Sequence, residues 1–380
     1  MAKEERRQPE LRFKGFTDDW EQRKLQNILE VNSGKDYKHL NDGDIPVYGT
    51  GGLMLQVNEA LSYDQDAIGI GRKGTIDKPF LLKSPFWTVD TLFYCIPKIN
   101  SNLFFIYGVF QKINWKKMDE STGVPSLSKN TINNISINIP TLNEQNRIGK
   151  LLIVLDKSLA LHQRKLDNLI KLKKAYLQLL HPDKSHRVPK LRFNNFSEVW
   201  EQRKASDIFE SISDKNHADL PVLSASQEKG MILRSEIGID IKYNENSLKN
   251  YKRVCPGQFV IHLRSFQGGF AYSNVEGITS PAYTILDFKE KNEHYPLYWS
   301  YLLNSQNFIQ KLETITYGIR DGRTIKFSDF ITLRFNIPKI KEQIKIGNLL
   351  QTLDKTVDFQ QKNLVSLEQF KKSFLQLLFV

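Results

Sequence analysis

The chain contains the same opening segment twice, and this duplication restricts how it can fold more than any other feature. The segment LRFKGFTDDWEQRKL at 11–25 returns as LRFNNFSEVWEQRKA at 191–205, with nine of fifteen residues identical. A second pair, IPTLNEQNRIGKLLIVLDK at 139–157 and IPKIKEQIKIGNLLQTLDK at 337–355, is also duplicated. We therefore interpret the chain as two repeats, each with an opener (11–25 or 191–205), a divergent middle and a closer (144–180 or 342–380).

Each closer carries seam residues at alternating spacings of four and three, the pattern of a helix that packs along a second helix. Neither closer contains a proline, or a glycine after Gly149 and Gly347, before His181–Pro182 ends the first one. We predict one long helix from each closer. The predicted seam positions are Leu155, Leu159, His162, Leu166, Leu169, Lys173, Tyr176 and Leu180 in the first, and Leu353, Val357, Gln360, Leu364, Leu367, Lys371, Phe374 and Leu378 in the second.

The polar seam positions favour antiparallel pairing of the two helices. Parallel pairing in register would place Lys173 against Lys371, two like charges in one layer. Antiparallel pairing places Lys371 opposite His162 and Lys173 opposite Gln360, and apolar layers then meet apolar layers. The alternative, in which each helix packs only on its own domain, stays open at this point.

Both middles alternate short β-type runs with Gly, Pro, Asn and Asp, and each adds a helical stretch, at 101–113 and 295–312. The predicted fold class is α+β, with two mixed α/β domains linked by two long antiparallel coiled-coil helices in a pseudo-twofold internal repeat. The predicted boundaries are 1–143 for the first domain, 144–180 for the first helix, 181–341 for the second domain and 342–380 for the second helix.

The net charge of +12 favours a polyanionic partner such as nucleic acid, although a merely basic protein fits the charge equally well. Residues 1–143 hold 18 basic and 17 acidic side chains, so a polyanion contact there must come from local clusters. Only two cysteines occur, and no apolar run is long enough for a membrane helix. The opening residues lack the apolar core of a signal peptide, so we expect a cytoplasmic protein.

Two motifs could indicate nucleotide or methyl-donor chemistry. GIGRKG at 69–74 matches GxGxxG, but its continuation predicts a basic glycine turn rather than a dinucleotide site. SPFW at 84–87 and SPAY at 280–283 resemble the D/N/S-P-P-F/W/Y motif of amino-methyltransferases but lack its second proline, which favours strand entries with core aromatics. The histidines show no metal-ligand spacing. We therefore predict neither a catalytic residue nor a metal site.

Polar and basic residues in the turns of the middles are the candidates for contact with DNA. Arginine and lysine suit guanine edges, glutamine suits adenine, and lysine commonly contacts phosphate. The candidates are Tyr48, Arg72, Lys73, Lys78, Lys83, Lys112, Lys116 and Lys117 in the first middle, and Ser224, Ser226, Gln227, Lys229, Arg264, Ser265, Gln267, Arg320 and Arg323 in the second. For any one of them, a solvated surface residue is the simpler interpretation.

The paired openers and closers resemble those of specificity subunits of type I restriction–modification enzymes, over nearly the whole chain. The resemblance implies two target-recognition domains that bind double-stranded DNA. Each domain would read one half of an asymmetric, bipartite site, and the helices would set the spacing between the halves. The resemblance also implies docking of two methyltransferase subunits, which use S-adenosylmethionine, and of restriction (translocase/nuclease) subunits, which use ATP and Mg²⁺. This chain would then be non-catalytic and would hold no cofactor of its own.

Two other functions remain compatible with parts of the sequence. A self-contained DNA methyltransferase would explain the SPFW and SPAY segments, but the methyl-donor and catalytic motifs are missing. A protein-interaction scaffold without a DNA role would explain the repeat as well. Binding of S-adenosylmethionine by the isolated chain distinguishes the first alternative, and failure of the assembled complex to bind any duplex distinguishes the second.

Overall fold

The structure, a computed structural model, describes residues 7–182, 186–226, 229–237, 245–261, 269–315 and 325–380. The chain divides into two compact units. The first unit comprises Met1–Arg164 and Gln361–Val380, and the second comprises Lys165–Gln360. Each unit therefore contains one middle together with a part of both closers.

The first unit is built from short strands, two short helices and segments of the two long helices. Its core contains Trp20, Phe105, Phe110 and Trp115, all of which are almost fully buried. Its elements are β1 (Glu21–Lys24), β2 (Leu29–Ser33), β3 (Ile45–Gly49), β4 (Gly52–Val57), β5 (Ala67–Gly71), β6 (Phe80–Leu82), β7 (Trp87–Thr88), β8 (Leu92–Pro97), α1 (Leu103–Lys112), α2 (Lys129–Asn134), β9 (Ser136–Ile139) and the first part of α3 (Leu142–Leu179).

The second unit follows the same plan with an aromatic core around Phe209, Trp299 and Phe330. Its elements are β10 (Glu201–Lys204), α4 (Ala205–Ile208), β11 (Phe209–Ile212), β12 (Leu223–Ser226), β13 (Gly230–Leu233), β14 (Lys252–Val254), β15 (Phe259–Ile261), β16 (Phe270–Tyr272), β17 (Gly277–Thr279), β18 (Thr284–Phe288), α5 (Pro296–Leu302), α6 (Gln306–Ile315), α7 (Phe327–Phe330), β19 (Arg334–Ile337) and the first part of α8 (Ile340–Leu377).

Each middle contains a four-stranded antiparallel sheet, and the two sheets have equivalent strand orders despite the divergent sequences. The strand order is β2-β8-β5-β6 in the first unit and β11-β18-β15-β16 in the second. In both units the opener's EQRK forms an exposed strand that pairs with the strand before the closer, β1 with β9 and β10 with β19. The predicted helical stretches become α1 in the first unit, and α5 followed by α6 in the second.

The motif residues outside the closers adopt the predicted local structures. β5 ends at Gly71, and the chain turns through Arg72–Gly74 without entering a helix, so GIGRKG forms a turn. A side chain at Gly71 would lie 2.0 Å from the carbonyl oxygen of Thr75, which explains why this turn needs glycine. Phe86 and Trp87 of SPFW are buried core aromatics, and Tyr283 of SPAY is half-buried just before β18.

The long helices α3 and α8 pack together in antiparallel orientation, as the sequence predicts. In the first unit, Leu152 near the start of α3 and Phe379 just after α8 both contact Gly108 of α1. In the second unit, Leu180 just after α3 and Leu350 near the start of α8 share one core cluster. All sixteen predicted seam side chains are buried or half-buried.

Each seam lysine forms an ion pair with an aspartate of the other long helix. Lys371 pairs with Asp156 in the first unit, and Lys173 pairs with Asp354 in the second. The prediction placed these lysines opposite His162 and Gln360. A carboxylate stabilises a half-buried ammonium more than an amide does, so these ion pairs favour the antiparallel packing.

We expect the lysine–aspartate pairs to contribute to the stability of the helix packing. Asp156→Lys and Lys371→Asp should each destabilise the first unit by about 1 kcal/mol or more, and the double exchange should recover most of that loss. Urea unfolding of the four proteins in a double-mutant cycle measures the coupling. The Lys116–Asp77 pair of the same unit, in which Lys116 is 75% exposed, provides the comparison, for which we expect a smaller coupling. Additive effects at Asp156 and Lys371 would contradict the assignment.

The opener of each repeat lies at the end of a long helix. The backbone N–H of Leu11 donates to the carbonyl of Leu377 at 2.9 Å, and that of Leu191 donates to the carbonyl of Leu179 at 3.0 Å. The start of the first repeat therefore packs against the end of the second, as antiparallel helices require. Within the described ranges, no helix combines the length and the apolar character that crossing a membrane requires.

Candidate nucleic-acid interface

A buried ion pair fixes the opener of each repeat to its own closer. The Glu144 carboxylate accepts hydrogen bonds from Nε and Nη2 of Arg12 at 2.8 and 2.9 Å, and the Glu342 carboxylate accepts from Nε and Nη2 of Arg192 at 2.7 and 2.8 Å. Both glutamates are about 1% exposed. The fork geometry of arginine matches a carboxylate in this bidentate way. Each carboxylate raises the pKa of its arginine through the shared hydrogen bonds.

The glutamine that follows each of these glutamates ties the closer to its domain. Gln145 accepts from the backbone N–H of Asn102 at 3.0 Å and donates to the carbonyl of Pro140 at 2.9 Å. Gln343 accepts from the N–H of Tyr295 and donates to the carbonyl of Pro338, both at 2.9 Å. The repeated Glu-Gln pairs are therefore buried structural residues.

The tryptophans and the EQRK tetrads of the openers have different environments. Trp20 and Trp200 are each 2% exposed and belong to the cores of their units. The tetrads that follow them lie on exposed strands, with only Arg203 half-buried. The tryptophans are thus scaffold residues, whereas the tetrads form accessible surface.

The predicted basic turn of the first unit borders an open recess. The guanidinium of Arg72 lies 5.9 Å from the ring centre of Phe93, and the backbone at Lys73 pairs with that at Ser126. Arg72, Lys73 and Lys129 line a recess of about 530 Å³ in which Glu120 is the one carboxylate among the lining residues. This net positive, partly apolar surface suits a phosphate backbone and the edges of bases.

The remaining candidates of the first unit do not form one cluster. Lys112 donates from Nζ to the carbonyl of Phe379 at 2.8 Å, and partial burial lowers its pKa. Lys116 pairs with Asp77 at 2.9 Å and lowers the pKa of that carboxyl. The predicted cluster of Lys112, Lys116 and Lys117 is therefore divided, because Lys112 binds the end of α8.

The other predicted residues of the first unit are Tyr48, Lys78, Lys83 and Lys117. Tyr48 is half-buried with its ring centre 6.0 Å from that of Phe80, so its ring supports the sheet. Lys78, Lys83 and Lys117 are exposed. These three lysines are accessible to a polyanion, but the recess beside Arg72 does not include them.

In the second unit, the described candidates lie on the hairpin of β12 and β13. The Ser224 hydroxyl accepts from Nε of Arg234 at 3.2 Å, and the Ser226 hydroxyl accepts from the N–H of exposed Lys229 at 3.2 Å. Ser226 and Lys229 border a recess of about 460 Å³ with Tyr272 and Asn274. The candidates Gln227, Arg264, Ser265, Gln267, Arg320 and Arg323 lie outside the described residues.

Sequence reasoning missed two parts of this surface. Lys129, the first residue of α2, joins Arg72 and Lys73 only because the chain folds back between 125 and 127, where Leu127 donates to the carbonyl of Arg72. The exposed apolar tip of the hairpin formed by β3 and β4 was also missed, since its sequence is that of an ordinary half-buried strand. Within the described ranges, no cluster of three or more His, Cys, Asp or Glu could hold a metal ion.

Comparison with known proteins identifies the family. The model of the type I restriction modification DNA specificity domain matches twice, at residues 17–172 and 197–369. The type I restriction enzyme MjaVIII specificity subunit of Methanocaldococcus jannaschii is 24% identical over 304 residues, which cover 74% of this chain and 70% of that protein. The crystal structure of the type I restriction–modification S subunit from M. genitalium shares the fold, with a TM-score of 0.67 at 16% identity, over 98% of this chain and 99% of that one. The two matches together span most of the sequence, and the chain therefore belongs to the type I restriction modification DNA specificity family.

Proposed function

We propose that this chain directs a type I restriction–modification complex to its DNA target. Each unit would read one half of an asymmetric, bipartite site, and α3 with α8 would set the distance between the halves. The observation that carries the proposal is that the family model matches each repeat once. Two copies of a DNA-specificity domain are most simply explained if each copy reads one half-site. The recess at Arg72, Lys73 and Lys129 supports it for the first unit.

The chain would have no catalytic role of its own in this complex. Two methyltransferase subunits would dock on the repeated openers and closers and use S-adenosylmethionine to methylate adenine. Restriction subunits would add ATP- and Mg²⁺-dependent translocation and cleavage. The exposed EQRK strands offer each methyltransferase subunit an equivalent surface, since they repeat in sequence and in strand pairing. Because the target is genomic DNA, we place the complex in the cytoplasm.

A map of methylated bases tests the proposal. The chain and its methyltransferase subunit are expressed together in a host that lacks adenine methylation, and the methyltransferase subunit alone serves as the control. We expect an asymmetric motif with a gap of unspecified bases that appears only when both proteins are present. An identical motif without this chain would contradict the proposal, as would unmethylated DNA in cells that contain the assembled complex.

A further inference from the structure

The hairpin of β3 and β4 exposes apolar side chains at its tip. Its two strands are joined by Thr50 and Gly51, and Gly52 follows with a φ of 109°, a conformation that favours glycine. Leu53 is 64% exposed and Met54 is 52% exposed, whereas Val57 at the base of the strand is buried. The register shifts between Val47 and Tyr48, which leaves Met54 as an extra residue on β4. Bulges of this kind redirect side chains near functional sites.

The hairpin in the second unit that holds the similar sequence is less exposed. DIPVYGTGGLML at 44–55 resembles DLPVLSASQEKGMIL at 219–233, and aligning the glycine that begins each second strand sets Leu53 and Met54 against Met231 and Ile232. Met231 is 3% exposed and belongs to a core cluster, and Ile232 is half-buried. The fold therefore does not require an exposed apolar tip. The exposure of Leu53 and Met54 in the first unit indicates that a binding partner covers them.

The surroundings of the tip are basic on one side. The hydroxyl of Thr50 lies 3.7 Å from the position that a side chain at Gly74 would take, which places the hairpin turn beside the Arg72–Gly74 turn. Gly74 in turn donates to the carbonyl of Pro125, the neighbour of exposed Val124. The tip thus lies next to the positive recess that contains Arg72, Lys73 and Lys129.

We propose that the β3–β4 hairpin reads a T·A base pair in the major groove, with Leu53 and Met54 against the C5-methyl group of thymine. This assignment rests on the proposed function and extends it to one base. A two-stranded ribbon fits the width of the major groove, and the thymine methyl is the apolar feature of base edges there. The adjacent cations would hold the neighbouring phosphates.

Binding of single-thymine variants of the target tests the assignment. The complex of the full chain with its methyltransferase subunits is titrated with duplexes that carry the mapped motif, in which each thymine is replaced in turn by uracil. Loss of one contacted methyl should weaken binding about fourfold at one position in one half-site. For the Leu53→Ser/Met54→Ser complex, the same replacement should have no effect, and its methylation motif should be relaxed at that position alone.

Ile99→Ser is the matched control variant. Ile99 is 93% exposed and lies just after the C-terminal end of β8. The Arg72 turn lies at the other end of β8, where the carbonyl of Thr91 accepts from the backbone N–H of Arg72. We expect this variant to keep the wild-type response to uracil. Equal thermal midpoints of the three proteins establish that both variants are folded.

Three results would overturn the assignment while leaving the proposed function intact. The first is a wild-type complex in which no single uracil replacement weakens binding, and the second is an equal cost of uracil in the wild-type and double-variant complexes. The third is failure of the double variant to assemble with the methyltransferase subunit, which would make the tip a protein-docking surface. A wild-type complex that binds no duplex selectively would instead refute the proposed function itself.

Discussion

Glu342→Gln should destabilise the second unit by about 3–5 kcal/mol, the cost of leaving one partner of a buried ion pair without its counter-charge. Glu342 is 1% exposed, and it accepts two hydrogen bonds from Arg192, whose side chain is 13% exposed. Glutamine keeps the size of the side chain and one acceptor, so the change isolates the loss of charge. The half-buried guanidinium of Arg192 would lose its hydrogen-bonded counter-charge.

Hydrogen exchange of the folded chain, resolved by peptide, is the measurement that locates this effect. A protein with two units need not unfold in one step, so a single midpoint would not assign the loss to a unit. We expect exchange to accelerate in β10, β19 and the first turns of α8. Glu144→Gln should produce the equivalent loss in β1, β9 and the first turns of α3, because Glu144 binds Arg12 in the same way.

Glu198→Gln is the control for charge removal in the same region. Glu198 pairs with Lys339 at 2.8 Å, but the two side chains are 64% and 78% exposed. Removal of this carboxylate should change the free energy of unfolding by less than about 0.5 kcal/mol. If Glu198→Gln and Glu342→Gln were equally destabilising, burial could not be the reason for the importance of the Arg192–Glu342 pair.

His181 should make the second unit sensitive to acid. Its ring is 4% exposed and lies against Tyr298 with ring centres 5.5 Å apart, and Nδ1 is 3.0 Å from the carbonyl of Leu177. Its Nε2 finds no hydrogen-bond partner among the described residues. Burial lowers the pKa of His181 to about 4, so the folded protein holds the neutral imidazole.

The sign of the effect follows from proton binding. Between pH 6.5 and pH 4 the unfolded chain protonates this histidine while the folded chain does not, so stability falls as the pH is lowered through that range. At pH 4.5 the contribution is a loss of about 2.5 kcal/mol relative to pH 7. Burial also lowers the pKa of His294 to about 4, which adds a second loss of the same sign.

His181→Phe should remove the first of these losses. The first unit has Phe379 at the corresponding place, buried against Phe105 and Trp20, so phenylalanine suits this environment. Urea unfolding at pH 7 and pH 4.5, followed through peptides of the second unit, should show a smaller pH effect in the variant by about 2.5 kcal/mol. An unchanged pH effect would mean that His181 is protonated in the folded state.

The elements that depend on local periodicity could be predicted from the sequence. The alternating spacing of the seam residues predicted the two long helices, which the structure places at Leu142–Leu179 and Ile340–Leu377. The charges at Lys173 and Lys371 predicted that these helices are antiparallel. Glycines and prolines marked the turns of the middles, and the turn at Arg72–Gly74 follows from them. These predictions succeed because helix period, turn conformation and like-charge repulsion act over a few residues or one layer of packing.

The contacts between residues of distant segments are visible in the fold alone. Arg12 pairs with Glu144, which is 132 residues away in the sequence, and Lys112 donates to the carbonyl of Phe379, which is 267 residues away. Similar hairpin sequences leave Leu53 exposed and bury Met231. The burial and the pairing of a residue depend on which distant segments pack against it. The local sequence pattern does not contain that information. The openers illustrate this difference. Their repetition is visible in the sequence, but the arginine–glutamate pair that explains the repetition appears only in the fold.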